Sequence, residues 1–386
     1  MRKREFLQKL TIPLLLGSAA SWNVQAADTS VDKVLRHYGA LVLAGYEDAL
    51  AGARALQATI ATFIAKPGDE ALQAARRAWL AARESYGQTE AFRFYGGPID
   101  DEHGPEGRLN AWPMDEAYVD GVEGHPHSGI VNDRAVAIDA PTLAELNEKD
   151  GEENIATGWH AIEFLLWGQD RRSDGPGNRA YTEFLDGQAA NADRRRAYLK
   201  VVTDLLVSDL SMLEAAWAPS AQNYRSRFVA RPENLPRIVS ALGILSRGEL
   251  AGERIEVALD SQSQEDEHSC FSDNTHRDVV NNALGIRNVW RGEYLRADGT
   301  RLTGPSLRDL VAGRDKAVAA RLDVQMDAAV SAAEAIPAPF DQAILVGSNG
   351  RKAVEATVAA LKTQTGGLLE AAQALGIKRL TTTVPE

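Results

Sequence analysis

The sequence contains a single cysteine, Cys270, and few long apolar runs. One cysteine excludes an internal disulfide, so stability must come from packing. Beyond the N-terminus no segment approaches the roughly 18 uncharged apolar residues that a spanning helix needs, which argues against an integral membrane anchor. Basic residues are also in deficit, since the formal net charge is −12. Nucleic-acid binding is therefore not expected, because phosphate contacts need a basic face.

Several motifs that carry catalysis are missing as well. The chain has no H-E-x-x-H zinc motif, no G-x-S-x-G nucleophile turn, no P-loop and no G-x-G-x-x-G at a strand–helix junction. No catalytic residue is predicted on this basis.

Residues 1–26 have the features of a Sec-type signal peptide. Basic residues are followed by an apolar run from Leu10 to Ala20 and by the small-residue site Val24-Gln25-Ala26. No cysteine stands after the run to carry a lipid, so we expect a free periplasmic protein. Removal of this leader, with its four basic residues and one acidic residue, changes the net charge from −12 to −15. Such a protein favours cationic or metal ligands.

Long patterns rich in Ala, Leu, Arg and Glu predict an all-α fold. Two prolines in "RFVARPENLPR" suggest a boundary between two helical-bundle domains, residues 27–235 and 236–386. The first contains a long stretch, residues 96–150, which we expect to be an ordered loop packed on helices. The predicted helices are Val31–Lys66, Asp69–Phe94, Gly151–Trp167, Asp193–Trp217, Pro236–Leu259, Asp273–Tyr294, Ser306–Ala335 and Gly350–Leu375.

The stretch "TGWHAIEFLLWGQD" places His160 and Glu163 three residues apart on one face of an apolar helix. Asp150-Gly-Glu-Glu153 is predicted to cap the start of this helix. A buried carboxylate needs a cation, a hydrogen-bond donor or a metal. Gly158 inside the helix suggests close approach of another group to the backbone. H-x-x-E is half of a metal site, although a structural His–Glu hydrogen bond is the alternative reading.

Two other stretches supply candidate residues. In "RESYGQTEAFRF", Arg83, Tyr86, Glu90 and Arg93 share one helical stripe. Glu90 would be held there by an arginine or supply a ligand, unless the stripe is a solvated face.

In "QEDEHSCFSDNTHRD", Ser272 is predicted as a helix N-cap. Asp273 and His276 then form a second acid–imidazole pair at i, i+3. A favourable interaction of Asp273 with the helix dipole is the alternative reading.

Several long motifs together resemble the imelysin-like proteins, filed as peptidase family M75, and their iron-regulated protein A branch. "GWHAIEFLLWGQD" matches the family's G-x-H-x-x-E signature at Gly158, His160 and Glu163. The likeness extends over nearly all of the chain after the leader, through "NAWPMDEAY", "GPGNRAYTEF" and "HSCFSDNTHRDVVNNALGIRNVWRGEY". It implies two helical domains related by duplication, a site between them near His160, and an envelope protein linked to iron acquisition.

Three functions follow as hypotheses. The first is an iron-uptake protein that binds iron, with zinc or copper as other candidates, through His160, Glu163, Glu90 and Asp273 or His276, and that serves an iron-transport partner in the envelope. The second is a zinc metallopeptidase, which needs three protein ligands and a general base. The third is a docking protein in which the His–Glu pair is structural.

Overall fold

The structure is a computed structural model and describes residues 29–378, 380 and 382–383. The predicted signal peptide lies outside these residues. The predicted all-α class is confirmed, with one short antiparallel hairpin, β1 (Glu293–Leu295) and β2 (Arg301–Thr303). The helices are α1 (Val31–Ala65), α2 (Asp69–Thr89), α3 (Glu106–Asn110), α4 (Glu116–Val119), α5 (Ala140–Leu146), α6 (Gly158–Trp167), α7 (Ala192–Trp217), α8 (Tyr224–Val229), α9 (Asn234–Ile244), α10 (Val257–Ser261), α11 (Thr275–Arg291), α12 (Leu307–Ala312), α13 (Lys316–Glu334), α14 (Phe340–Ile344) and α15 (Arg351–Ala374).

The long helices pack in two groups around α6 and α11. Helix α1 packs on α2 and α7, while α13 packs on α15 and α11. Helix α11 also packs on α2, which joins the groups. Most buried apolar side chains form one continuous core from Val34 to Ala372, and Leu41, Ala44 and Tyr294 form a small second cluster. The continuous core includes residues from both halves of the chain. The domain boundary near residue 235 and the duplication stay predictions.

Helix α6 begins at Gly158, seven residues after its predicted start at Gly151. The predicted cap at Asp150-Gly-Glu-Glu153 is wrong. Residues 151–157 form a turn and extended backbone instead of a first helical turn. The side chain of Asn147 instead accepts hydrogen bonds from the backbone N–H groups of Ala156 and Thr157, at 3.0 and 3.1 Å. The predicted end is correct, since Gly168 caps the helix.

The predicted helix Pro236–Leu259 is not one regular α-helix. Helix α9 passes into a π-helical segment, Leu245–Glu256, before α10 begins. Such segments are rare and often occur at functional sites. The predicted helix Ser306–Ala335 is likewise divided into α12 and α13, because Gly313 and Asp315 end one helix and cap the next.

The stretch 96–150 contains the short helices α3, α4 and α5. Helix α3 packs against α6 and delivers Asn110 to the interior, where its side chain is buried. No helix in the described part of the chain is long and apolar enough to cross a membrane.

Candidate metal centre

His160 and Glu163 form a buried hydrogen-bonded pair on α6. Nδ1 of His160 lies 2.9 Å from Oε2 of Glu163, and the two residues are 3% and 0% exposed. The other carboxylate oxygen, Oε1, accepts hydrogen bonds from the backbone N–H and the hydroxyl of Ser272, at 2.9 and 2.6 Å. Ser272 is therefore not the predicted N-cap. Asn274 stands at that position of α11, and Ser272 holds Glu163 in place.

The environment of this pair disfavours charge. Burial raises the pKa of Glu163 to about 8, although Ser272 and Arg83 lower it. Burial and the nearby Arg83 lower the pKa of His160 to about 3. Because Oε1 of Glu163 already accepts two hydrogen bonds, the proton held near neutral pH lies between Oε2 and Nδ1 of His160. Nε2 of His160 is buried and has no hydrogen-bond partner.

A second imidazole stands beside the first. His268 lies in the loop before α11, is 2% exposed, and its ring centroid is 4.8 Å from that of His160. Nδ1 of His268 is 3.1 Å from Oδ2 of Asp278 on α11. Each histidine thus has a carboxylate on Nδ1, the arrangement that orients metal-binding histidines with Nε2 toward the metal.

Asp278 is the anionic partner of its pair. Burial raises its pKa, but Arg83 and His268 outweigh burial and hold the pKa well below the usual range. Arg83 donates to Oδ1 of Asp278 from Nη2 at 2.8 Å and to Oδ1 of Asn110 from Nη1 at 2.7 Å. The pKa of His268 is lowered, first by burial and then by Arg254. Both imidazoles are therefore neutral at pH 7 and can act as ligands.

Glu90, predicted as a ligand, lies in the same network but on the far side of Asn110. Asn110 Nδ2 is 3.3 Å from Oε1 of Glu90 and 3.4 Å from Nε2 of His268. Oε2 of Glu90 accepts from Arg93 and from Arg254 of the π-helical segment, both at 2.7 Å. Burial raises the pKa of Glu90, but the two arginines outweigh it and lower the pKa to about 2.

The other predicted supporting residues surround this network. The guanidinium of Arg83 lies over the rings of Tyr86 and Trp159, at 5.4 and 5.7 Å from their centroids. The hydroxyl of Tyr86 is buried without a hydrogen-bond partner. Arg93 bridges Glu90 to Glu106, whose carboxylate is 2.9 Å from Nη2.

Gly158 allows the start of α6 to pack closely against α3. The sequence predicted that another group approaches the backbone at this position. Its φ is 85°, and a Cβ atom there would lie 2.5 Å from the carbonyl oxygen of Leu109. The group that approaches the backbone closely is thus another backbone segment. His160 stands on the first turn of α6, and its ring contacts that of His268.

Asp273 and His276 lie outside this buried network. Nδ1 of His276 donates to the backbone carbonyl of Asp273 at 3.0 Å, so the predicted side-chain pair does not form. Asp273 has a φ of 57° and precedes α11 instead of standing in its first turn. Burial, and then the neighbouring Asp170 and Asp341, raise the pKa of its carboxyl to about 7.

Two imidazole rings, those of His160 and His268, lie together at this centre with their centroids 4.8 Å apart. Within residues 29–378 and the few described beyond them, no group of three or more His, Cys, Asp or Glu side chains is arranged to hold a metal ion. Nε2 of His160 has no partner and could take a metal ion, whereas Nε2 of His268 would have to exchange the amide of Asn110 for the metal.

Sequence reasoning missed His268, Asp278, Asn110 and Arg254. His268 and Asp278 are ten residues apart across a loop and the first turn of α11, so helical periodicity does not relate them. A signal was nonetheless present, because both stand in the acidic and histidine-rich stretch that supplied Asp273 and His276.

These features define an all-helical protein with a buried pair of carboxylate-bound histidines between helices α2, α6 and α11. Residues 42–368 match the sequence profile of the imelysins, peptidase family M75. The chain therefore belongs to the imelysin family, as the sequence motifs predicted.

Two relatives illustrate the match. Iron-regulated protein A of Synechococcus elongatus is 29% identical over 312 residues, which cover 78% of this chain and 74% of that protein. A crystal structure from Parabacteroides distasonis, described as a candidate iron-regulated protein A precursor, superposes with a TM-score of 0.69. The two chains are 20% identical, and the superposition covers 91% of this chain and 97% of that chain. This likeness supports the fold.

Proposed function

We propose that this chain is an exported protein of bacterial iron acquisition, and that it binds iron through Nε2 of His160 and of His268. The observation that carries the proposal is the unpartnered, buried Nε2 of His160, in a neutral imidazole 4.8 Å from a second one. A buried polar atom without a partner is unfavourable, and a metal ion would satisfy it. The name of the Synechococcus relative, iron-regulated protein A, supports iron as the metal.

The charge of the surrounding network supports a cationic ligand. Three guanidinium groups take part, those of Arg83, Arg93 and Arg254. Five carboxyl groups take part, those of Glu90, Glu106, Glu163, Glu249 and Asp278. With all of these groups ionised the network carries two excess negative charges. A divalent cation would balance them and let Glu163 lose its proton.

In this proposal, Glu163 and Glu90 support the centre and do not bind the metal directly, although the sequence predicted them as ligands. Glu163 orients His160, with Ser272 fixing the carboxylate, and Asp278 orients His268. Glu90 balances Arg93 and Arg254. Two protein ligands leave the other coordination positions to water or to a chelator, which suits an ion that is bound and passed on better than a closed structural site.

The sequence hypothesis of a zinc peptidase is less well supported by this geometry. A catalytic zinc ion takes three protein ligands and an open position for water. The described part of the chain brings two imidazole rings together at the centre. Metal-dependent cleavage of an unstructured substrate such as casein, abolished in His160→Gln, would favour the peptidase instead.

The test of the proposal is metal analysis of protein purified from the periplasm without chelators or affinity tags. We expect stoichiometric iron in the wild type, its loss in the His160→Ala, Glu163→Ala double variant and in His268→Ala, and its retention in His276→Ala. Wild-type protein free of metal after exposure to iron would contradict the proposal and favour a docking role.

A further inference from the structure

The two histidines of the centre differ in what their Nε2 atoms meet. Nε2 of His160 is buried without a hydrogen-bond partner, whereas Nε2 of His268 lies 3.4 Å from Nδ2 of Asn110. Asn110 is the last residue of α3 and is 2% exposed. The nitrogen that a metal ion would need at His268 is therefore occupied by an amide of the protein itself.

The neighbours of Asn110 fix the orientation of its amide. Nη1 of Arg83 lies 2.7 Å from Oδ1, and a guanidinium group can only donate. Oε1 of Glu90 lies 3.3 Å from Nδ2, and two arginines keep this carboxylate ionised, so it can only accept. The hydrogens on Nδ2 therefore point to Glu90 and to Nε2 of His268. That nitrogen accepts, while Nδ1 of His268 carries the ring proton and donates it to Asp278.

Helix α3 is held on both sides, so the side chain of Asn110 can leave His268 without a shift of the backbone. The hydroxyl of Thr157 donates to the carbonyl oxygen of Arg108 at 3.0 Å. The guanidinium of Arg108 pairs with Asp209 of α7 at 2.8 Å. The release of His268 is thus a local event that breaks one long hydrogen bond.

We propose that Asn110 acts through His268: it blocks Nε2 in the metal-free protein, and a bound metal ion displaces it. This inference rests on the proposed function. The ion binds first to Nε2 of His160, which is free, and the exchange of the amide for the metal at His268 completes the site. Because the amide competes with the ion, Asn110 lowers the affinity of the centre. A state competent for binding that is only partly populated reduces the apparent affinity in proportion.

The test compares Asn110→Ala with wild type in titrations of the full-length protein with Co²⁺, followed by visible absorbance. We expect the dissociation constant to fall about three- to tenfold, the range for one net hydrogen bond. The midpoint of thermal unfolding without metal should fall as well, because Arg83 and Glu90 each lose a buried partner. A purely structural role for Asn110 would lower stability without tightening metal binding.

Asn282→Ala is the matched control. Asn282 is buried on α11, accepts a hydrogen bond from Nη1 of Arg254 at 2.6 Å and donates to the carbonyl oxygen of Gly87 at 3.0 Å. This variant loses the same amide from the same network, but from a residue with no hydrogen bond to either imidazole. We expect its dissociation constant to stay within about twofold of the wild-type value.

Each result is decisive. A dissociation constant in Asn110→Ala that equals or exceeds the wild-type value would overturn the inference. Equal tightening in Asn110→Ala and Asn282→Ala would overturn it too, because the effect would then come from the charge network and not from His268. Wild-type protein that binds no Co²⁺ would instead contradict the proposed function, and the inference with it. Asn110→Ser, whose hydroxyl is too short to reach the ring, repeats the test should the alanine variant fail to fold.

Discussion

Two acid–imidazole pairs with the same sequence spacing have different structures in this molecule. His160 and Glu163 both stand inside α6, and their side chains form a hydrogen bond of 2.9 Å in the core. Asp273 and His276 straddle the start of α11, and only the backbone carbonyl of Asp273 meets the imidazole. Spacing of i, i+3 brings side chains together only when both residues are helical.

The charged side chains beside the two acid–imidazole pairs also differ in their exposure to solvent. The buried pair lies beside Arg83, which is paired with Asp278 at 1% exposure of both side chains. The second pair, Asp273 and His276, lies beside Arg277, which is paired with Glu84; these two side chains are 37% and 40% exposed. An arginine–carboxylate pair is therefore shielded from water in the first region and partly exposed to water in the second.

The largest expected effect is on stability. We expect Arg83→Met to lower the free energy of unfolding by about 3–5 kcal/mol, because it leaves Asp278 buried without its cation. Arg277→Met should cost about 1 kcal/mol or less, because water screens its partner. Urea unfolding of both variants measures the difference, and similar losses would contradict the distinction between the two regions.

The next effect concerns the start of α6. Gly158→Ala should lower stability by roughly 2–3 kcal/mol, since alanine is strained at a φ of 85° and its Cβ would overlap the carbonyl oxygen of Leu109. Gly366→Ala is the control, because it lies in α15 and a methyl group added there would meet no atom within 4 Å. That change should stabilise the protein by roughly 0.5–1 kcal/mol. Thermal melting of both variants checks the signs.

Much of the fold could be predicted from the sequence, because helices such as α1 and α7 show periodic apolar stripes. The start of α6 could not, since the Asn147 side chain that replaces a local cap lies ten residues before Thr157. For the site, His160 and Glu163 were found by their local spacing. His268 and Asp278 were missed because the loop before α11 brings them together without a regular period.

A third prediction compares metal affinity in the two regions. His160→Gln should weaken Co²⁺ binding about 100-fold, at the upper end of the loss expected when a metal site is disturbed. His276→Gln should change the dissociation constant by less than about threefold, because that ring lies outside the centre. Titration followed by visible absorbance gives both constants. A larger loss in His276→Gln than in His160→Gln would place the metal beside Asp273 and His276 instead.

The last comparison concerns the dependence of stability on pH. The pKa of His160 is about 3 in the folded protein and near its ordinary value of 6.5 when unfolded, so the unfolded state binds the proton more readily. Stability is therefore lost as the pH falls below 6.5, by about 1.4 kcal/mol per pH unit for this group.

His160→Gln should remove that contribution to the slope between pH 6 and pH 4. His125→Gln, which changes an exposed histidine, is the control and should keep the wild-type slope. The same slope in His160→Gln and wild type would show that His160 is not kept neutral by burial.

Metal binding between His160 and His268 is tested most directly by anomalous diffraction at the iron absorption edge, from crystals of the iron-loaded protein. We predict one peak within bonding distance of Nε2 of both histidines, with Glu163 and Asp278 still bound to the Nδ1 atoms. A peak beside Asp273 and His276, with none between the imidazoles of His160 and His268, would contradict this placement of the metal.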